Sequence, residues 1–127
     1  MKSADRRIFV RGALTSFLVL MLASVPYALA ENGVTATEVT IGMCNALTGP
    51  ASALGMGMKK GSTVYFEKVN KAGGVHGRKV RVISYDDGYE PKNTVEQTRK
   101  LIQQDRVFAL FGYVGIPASS AVLPIIN

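Results

Sequence analysis

Val39-Thr40-Ile41-Gly42-Met43-Cys44 is the stretch that decides the fold, because it runs within six residues into Thr48-Gly49-Pro50. The first piece is β-branched and apolar, the composition of a strand. In the second, a hydroxyl precedes a proline suited to the first turn of a helix. From Ala51 to Lys71, Leu54, Met58, Tyr65 and Val69 recur at spacings of four, seven and four, which predicts one apolar helix face, and Gly73-Gly74 predicts its stop. A strand that feeds directly into a helix is the first half of a β-α-β unit.

The pattern then repeats. Lys79-Val80-Arg81-Val82-Ile83-Ser84 alternates charged and apolar residues, as in a half-covered edge strand. Pro91 opens a second helix carrying Val95, Leu101 and Ile102 and ending near Gln104. Val107-Phe108-Ala109-Leu110-Phe111 is apolar on both faces, as expected of an interior parallel strand. After Gly112 a short loop leads to a third helix from about Ala118, which Pro124 is expected to kink or end. The order β-α-β-α-β-α predicts an α/β fold with a parallel sheet and right-handed crossovers, about three β-α units in all. An α/β lobe usually needs more than three strands, so the lobe reads as incomplete, with a fourth strand expected past Asn127. If the first strand is central, Val107 to Phe111 is then left as a free, uncharged edge prone to pairing with other chains.

Residues 1–30 read as a signal peptide. Lys2, Arg6, Arg7 and Arg11 make a basic start, Ala13 to Val25 is an uncharged apolar run, and Ala28-Leu29-Ala30 ends it with small residues suited to cleavage between Ala30 and Glu31. The run is shorter than the roughly 18 residues that span a bilayer, and Pro26 closes it. Arg6-Arg7 also fits a twin-arginine leader, so export by the general or the twin-arginine route is open. The mature segment, residues 31–127, holds eleven Lys and Arg against eight acids, a net charge of +3 with no basic stripe and interleaved aromatics; a nucleic-acid partner is not expected. Cys44 cannot close an intramolecular disulfide alone and, among Ile41, Met43 and Leu47, is expected to be a buried thiol.

Signatures of catalysis are weak. His76, the lone histidine, falls in a turn between Val75 and Gly77, and no metal site is expected. Asp86-Asp87 points two ways at a strand end, which suits turn and cap chemistry before Pro91 better than a paired acid and base. Gly55, Gly57 and Gly61 resemble a dinucleotide loop in spacing but lie inside the predicted helix, whereas pyrophosphate binding needs them at the strand-to-helix elbow. They are expected to let the helix pack closely on the sheet. No cofactor and no catalytic residue is expected; a nicotinamide-dependent enzyme is the least favoured alternative. Binding geometry survives. Open parallel sheets hold ligands beyond the carboxyl ends of their strands, here Asn45 to Gly49 and Gly112 to Pro117, both leading into helix N-termini suited to a small carboxylate.

Four stretches in order resemble leucine/isoleucine/valine-type periplasmic binding proteins: Ile41-Gly42 with Leu47-Thr48-Gly49-Pro50 and Gly55; Val69 through Lys79; Tyr85-Asp86-Asp87-Gly88-Tyr89-Glu90-Pro91; and Phe111-Gly112 to Leu123-Pro124. The resemblance implies a type I periplasmic-binding-protein lobe, one of two that close on a solute for delivery to the permease subunits of an ABC importer in the inner membrane. Residues 31–127 would be its N-terminal part, in the periplasm, and a ligand-sensing ectodomain of the same fold is the alternative. It also implies a site at Leu54, where such proteins often carry an aromatic, and around Tyr113, Gly115, Ile116 and Pro117, where Ile116 stands for a carboxylate-holding hydroxyl residue. Both departures point from ordinary leucine binding towards a larger, less polar acid, aromatic or fatty. Mass spectrometry of the exported product is expected to find Glu31 as its first residue, and a product that retains residues 1–30 contradicts this reading.

Overall fold

The computed structural model describes residues 31–126; the expected signal peptide lies outside the described residues. Three strands alternate with three helices: β1 (Glu38–Asn45), α1 (Ser52–Lys71), β2 (Lys79–Asp86), α2 (Pro91–Gln103), β3 (Ala109–Leu110) and α3 (Ile116–Ile126). The sheet is parallel with β1 in the centre, in the order β2-β1-β3. β1 and β2 pair without slip from Glu38 opposite Lys79 to Asn45 opposite Asp86. Both strands therefore end at one level, and their loops leave from one edge of the sheet.

Side chains alternate across β1. A β-carbon on Gly42 would lie 2.9 Å from Leu101, and the Cys44 sulfur lies 3.6 Å from Asp87, so the even-numbered residues face α2. Met43 and Asn45 face the opposite side and are fully buried, as are Cys44 and Ala46. On the α1 side the helix is held by close approach more than by large side chains. A β-carbon at Gly55 would fall inside contact distance of the Ala46 carbonyl. The other end of α1 is pinned by Asn70, whose amide accepts from Val80 N at 2.7 Å and donates to Val80 O at 2.8 Å.

The helix faces differ from those the apolar pattern predicts. Of the four residues assigned to the first helix's core face, Leu54 and Tyr65 are 58% and 63% exposed, Met58 is exposed, and Val69 alone is half-buried. The face turned inward instead carries Gly55, Ser62 and Phe66. The small residues admit the backbone to the sheet, which rotates the helix by about one position, or roughly 100°. Only Gly55 of the three glycines serves this purpose, since Gly57 and Gly61 face open space. On α2, Leu101 is buried as expected, but Ile102 is exposed and the other buried positions are Thr94 and Thr98.

The third strand is shorter than expected. Only Ala109–Leu110 pair with β1, and Phe108 and Phe111 are exposed, so the apolar run forms the free edge of the described sheet that a central first strand leaves. An apolar run on both faces marks a strand for burial without saying whether a neighbour is there to cover it. The first helix begins at Ser52, past Pro50, with no side-chain cap. The third begins at Ile116, two residues before the predicted start, so Ile116 and Pro117 form its first turn, and Pro124 lies inside it.

The contrast between two glycines gives a test. Gly55→Ala drives a methyl group into the Ala46 carbonyl and is expected to lower stability by about 1–3 kcal/mol. Gly57→Ala, in the same helix but facing open space, is expected to raise it by about 0.4–1 kcal/mol. Urea unfolding measures both, and a Gly55→Ala variant as stable as the parent contradicts the packing.

Candidate functional site

Because the strands are parallel and in register, the segments after β1, β2 and β3 collect at the carboxyl edge of the sheet. A carboxylate ties the first two together. Asp86 Oδ1 accepts from Leu47 N at 2.7 Å, Thr48 N at 3.3 Å and Gly88 N at 2.9 Å, and Oδ2 accepts from the Thr48 hydroxyl at 2.6 Å. The Thr48 hydroxyl, expected at a helix entry, is thus spent on the neighbouring loop. Asp86 in turn does more than turn and cap chemistry. Its pKa is held down at about 2, chiefly by the Thr48 hydroxyl, with the Gly88, Leu47 and Thr48 N–H groups overcoming partial desolvation.

Asp87 works on the opposite face and is 1% exposed. Its carboxylate accepts from Tyr89 N at 2.8 Å, from the Thr94 hydroxyl at 3.0 Å and from the Cys44 thiol at 3.6 Å. Burial first, then the Asp87 charge, pushes the Cys44 thiol well above the ordinary thiol range, as befits a buried, unreactive cysteine. One helical turn on from Thr94, Thr98 shares a 2.7 Å hydrogen bond with the Tyr113 hydroxyl. Burial raises the Tyr113 pKa to about 12, with the Thr98 hydrogen bond opposing and Cys44 and Asp87 adding to it, so the phenol keeps its proton at any physiological pH. Asn45, on the α1 side, is fully buried with neither amide atom bonded to protein among the described residues.

The residues predicted for the site divide into two groups. Tyr113 and Gly115 are half-buried in the loop after β3, and Ile116 and Pro117 stand exposed at the start of α3, Ile116 by 83%. Leu54 lies in the first turn of α1, exposed, one turn before Met58; a β-carbon at Gly112 would lie 3.4 Å from Met58, which places the start of α1 beside the exit of β3. Sequence reasoning missed Tyr89. Its φ of 67° is unusual for a bulky residue, and its ring occupies the space a side chain at Gly115 would need, 2.6 Å from an ideal β-carbon. Asp-Gly-Tyr reads in the sequence as a turn, and nothing in it indicates which way the ring points. Two concavities among the described residues, of about 400 and 280 Å³, run along β3; of the predicted site residues they include Tyr113 alone. They lie between β3 and α3, and only the smaller touches a strand-end loop, at Gly112 and Tyr113.

A family model described as periplasmic binding protein matches residues 38–127. The chain is 35% identical over 112 residues to the Leu/Ile/Val-binding protein BraC3 of Rhizobium johnstonii, which covers 88% of this chain and 28% of that protein. Among solved structures it is similar to a fatty acid ABC transporter substrate-binding protein from Thermomonospora curvata, with 33% identity, a TM-score of 0.66 and coverage of 72% of this chain and 23% of the other. It is also similar to a solute-binding protein of an ABC transporter from Rhodopseudomonas palustris BisB5 in complex with 3,4-dihydroxybenzoic acid, at 28% identity, a TM-score of 0.63 and coverage of 69% and 24%.

The Asp86 clamp carries a pH dependence of known sign. Its carboxyl titrates at about 2 in the folded chain and at about 3.9 when unfolded. Its contribution to stability is therefore full above the unfolded value and is lost as pH falls from about 4 to about 2. Urea unfolding across that range is expected to show the loss in the parent and a flatter profile in Asp86→Asn; identical profiles contradict the clamp.

Proposed function

This chain belongs to the periplasmic binding protein family, and we propose that it forms one wall of a solute site closed by a second lobe, in the extracytoplasmic binding component of an ABC importer. One observation carries the reading: three strand-end loops meet at a single sheet edge, bound to one another through Asp86 and the Tyr89–Gly115 contact. All three helices begin at that edge, α1 and α3 beside the residues predicted for the site. Their first turns offer N–H groups without intrahelical partners and the positive end of the helix dipole, a setting for the carboxylate of a small acid. On this reading residues 1–30 direct export to the periplasm, and the permease subunits in the inner membrane receive the solute.

The solute is a branched-chain amino acid or a related small carboxylate, and two residues favour an apolar body. Leu54 and Ile116 present exposed aliphatic side chains at the start of α1 and α3. A hydroxyl at position 116 would add a donor for the polar groups of an amino acid; isoleucine adds apolar surface instead. The similar structures titled for a fatty acid and for a complex with an aromatic acid are consistent with this preference.

The chain spans 28% of the length of its Rhizobium johnstonii relative, so a binding assay needs the remainder of such a protein. In a chimera carrying residues 31–127 in place of the matching segment of that relative, Ile116→Thr is expected to shift preference from aromatic and fatty acids towards leucine by about fivefold, the equivalent of one hydrogen bond. Calorimetric titration with the three acids measures the shift. An unchanged order of affinities would count against Ile116 as a site residue, and no binding of any of them against the solute-binding reading.

A further inference from the structure

Tyr89 is held in an unfavourable backbone conformation by groups that have little other reason to be buried. Its φ of 67° places a bulky residue in the left-handed region, a backbone strain of the kind that clusters at functional sites. The Asp87 carboxylate secures it by accepting the Tyr89 N–H at 2.8 Å, and Asp87 is itself fixed by Thr94 and 1% exposed. The consequence lies at the far end of the side chain. The phenol ring and hydroxyl sit where a side chain at position 115 would be, 2.6 to 2.9 Å from an ideal β-carbon there. Gly115, at φ 99°, is the residue whose carbonyl accepts Ser119 N and so opens α3. The ring thus reaches from the loop after β2 to the first turn of α3, beside exposed Ile116.

Resting on the solute-binding reading above, we infer that Tyr89 is the aromatic wall of the solute site and selects for a carboxylate with a flat apolar body, while its contact with Gly115 sets the entry of α3. Neither the first loop nor the first turn of α1, where Leu54 stands, carries an aromatic; Tyr89 supplies one from the second loop. A half-buried ring with its backbone fixed is a rigid surface for stacking and loses little freedom when a solute covers it.

The test uses the chimera that carries residues 31–127 within the Rhizobium johnstonii relative, labelled with nitrogen-15 and titrated separately with benzoate and leucine. Both acids are expected to move the amides of residues 47–49, 88–90 and 112–118, with benzoate binding more tightly. Tyr89→Gly removes the ring and accepts the left-handed backbone without strain; it is expected to lower the benzoate-to-leucine affinity ratio by about fivefold, whereas Tyr89→Phe keeps it. Amide exchange at Gly115 and Ile116 is expected to quicken in Tyr89→Gly and not in Tyr89→Phe. If both acids move the parent's loops and Tyr89→Gly leaves the ratio unchanged, the role given to Tyr89 is overturned and the solute-binding reading stands. If neither acid moves those loops in the parent, the solute-binding reading fails and this inference with it.

Discussion

Four donors converge on the carboxylate of Asp86, and the arrangement of the whole carboxyl edge depends on them. A parallel pair of strands leaves its two following loops side by side but does not fix their shape. Asp86 does so by taking the N–H groups of Leu47 and Thr48 from one loop and of Gly88 from its own. A carboxylate with several N–H donors is stronger than any neutral acceptor in that place. Since α1 starts directly after the first loop, its position over the sheet follows. Gly55 then completes the fit by letting the helix backbone rest on the Ala46 carbonyl.

The space between the sheet and α2 is organised differently. Leu101 fills it near Gly42, but towards the carboxyl edge the buried groups are Asp87, Thr94, Thr98 and Cys44. A polar network of this kind contributes direction more than net free energy, because each group is satisfied only when its partners are in place. Here it orients two phenols. Asp87 fixes the backbone of Tyr89, and Thr98 holds the hydroxyl of Tyr113. Tyr113 lies in the loop that enters α3 and Tyr89 packs against Gly115 at its end, so a buried core feature sets the geometry of an exposed edge.

β3 stands apart from this order. It shares two paired residues with β1, and its outer side is lined by apolar residues with open concavities beside them. Phe111 is partly covered by an edge-on contact with Phe66 of α1, its ring centre 5.7 Å away. The contact helps hold the exit of β3 near α1 while leaving the backbone edge uncovered among the described residues.

The sequence by itself determined the element order, the parallel sheet, the burial of Cys44 and the family. These rest on local signals: β-branched runs, a proline at the start of α2, and paired glycines after α1 are sufficient to set the chain's course. The helix faces were not legible in it. Apolar periodicity favoured Leu54, Met58 and Tyr65, but small residues allow closer backbone approach than large ones, so Gly55 and Ser62 turned inward. Thr94 and Thr98 are polar by composition and buried only because Asp87 and Tyr113 bring partners to them. Of the carboxyl edge, the loop leading to residues 113–117 could be placed from its position after a strand. Tyr89 could not, because the direction of its ring is set by a buried carboxylate, a left-handed backbone and a glycine 26 positions away, and only the folded chain brings those three together.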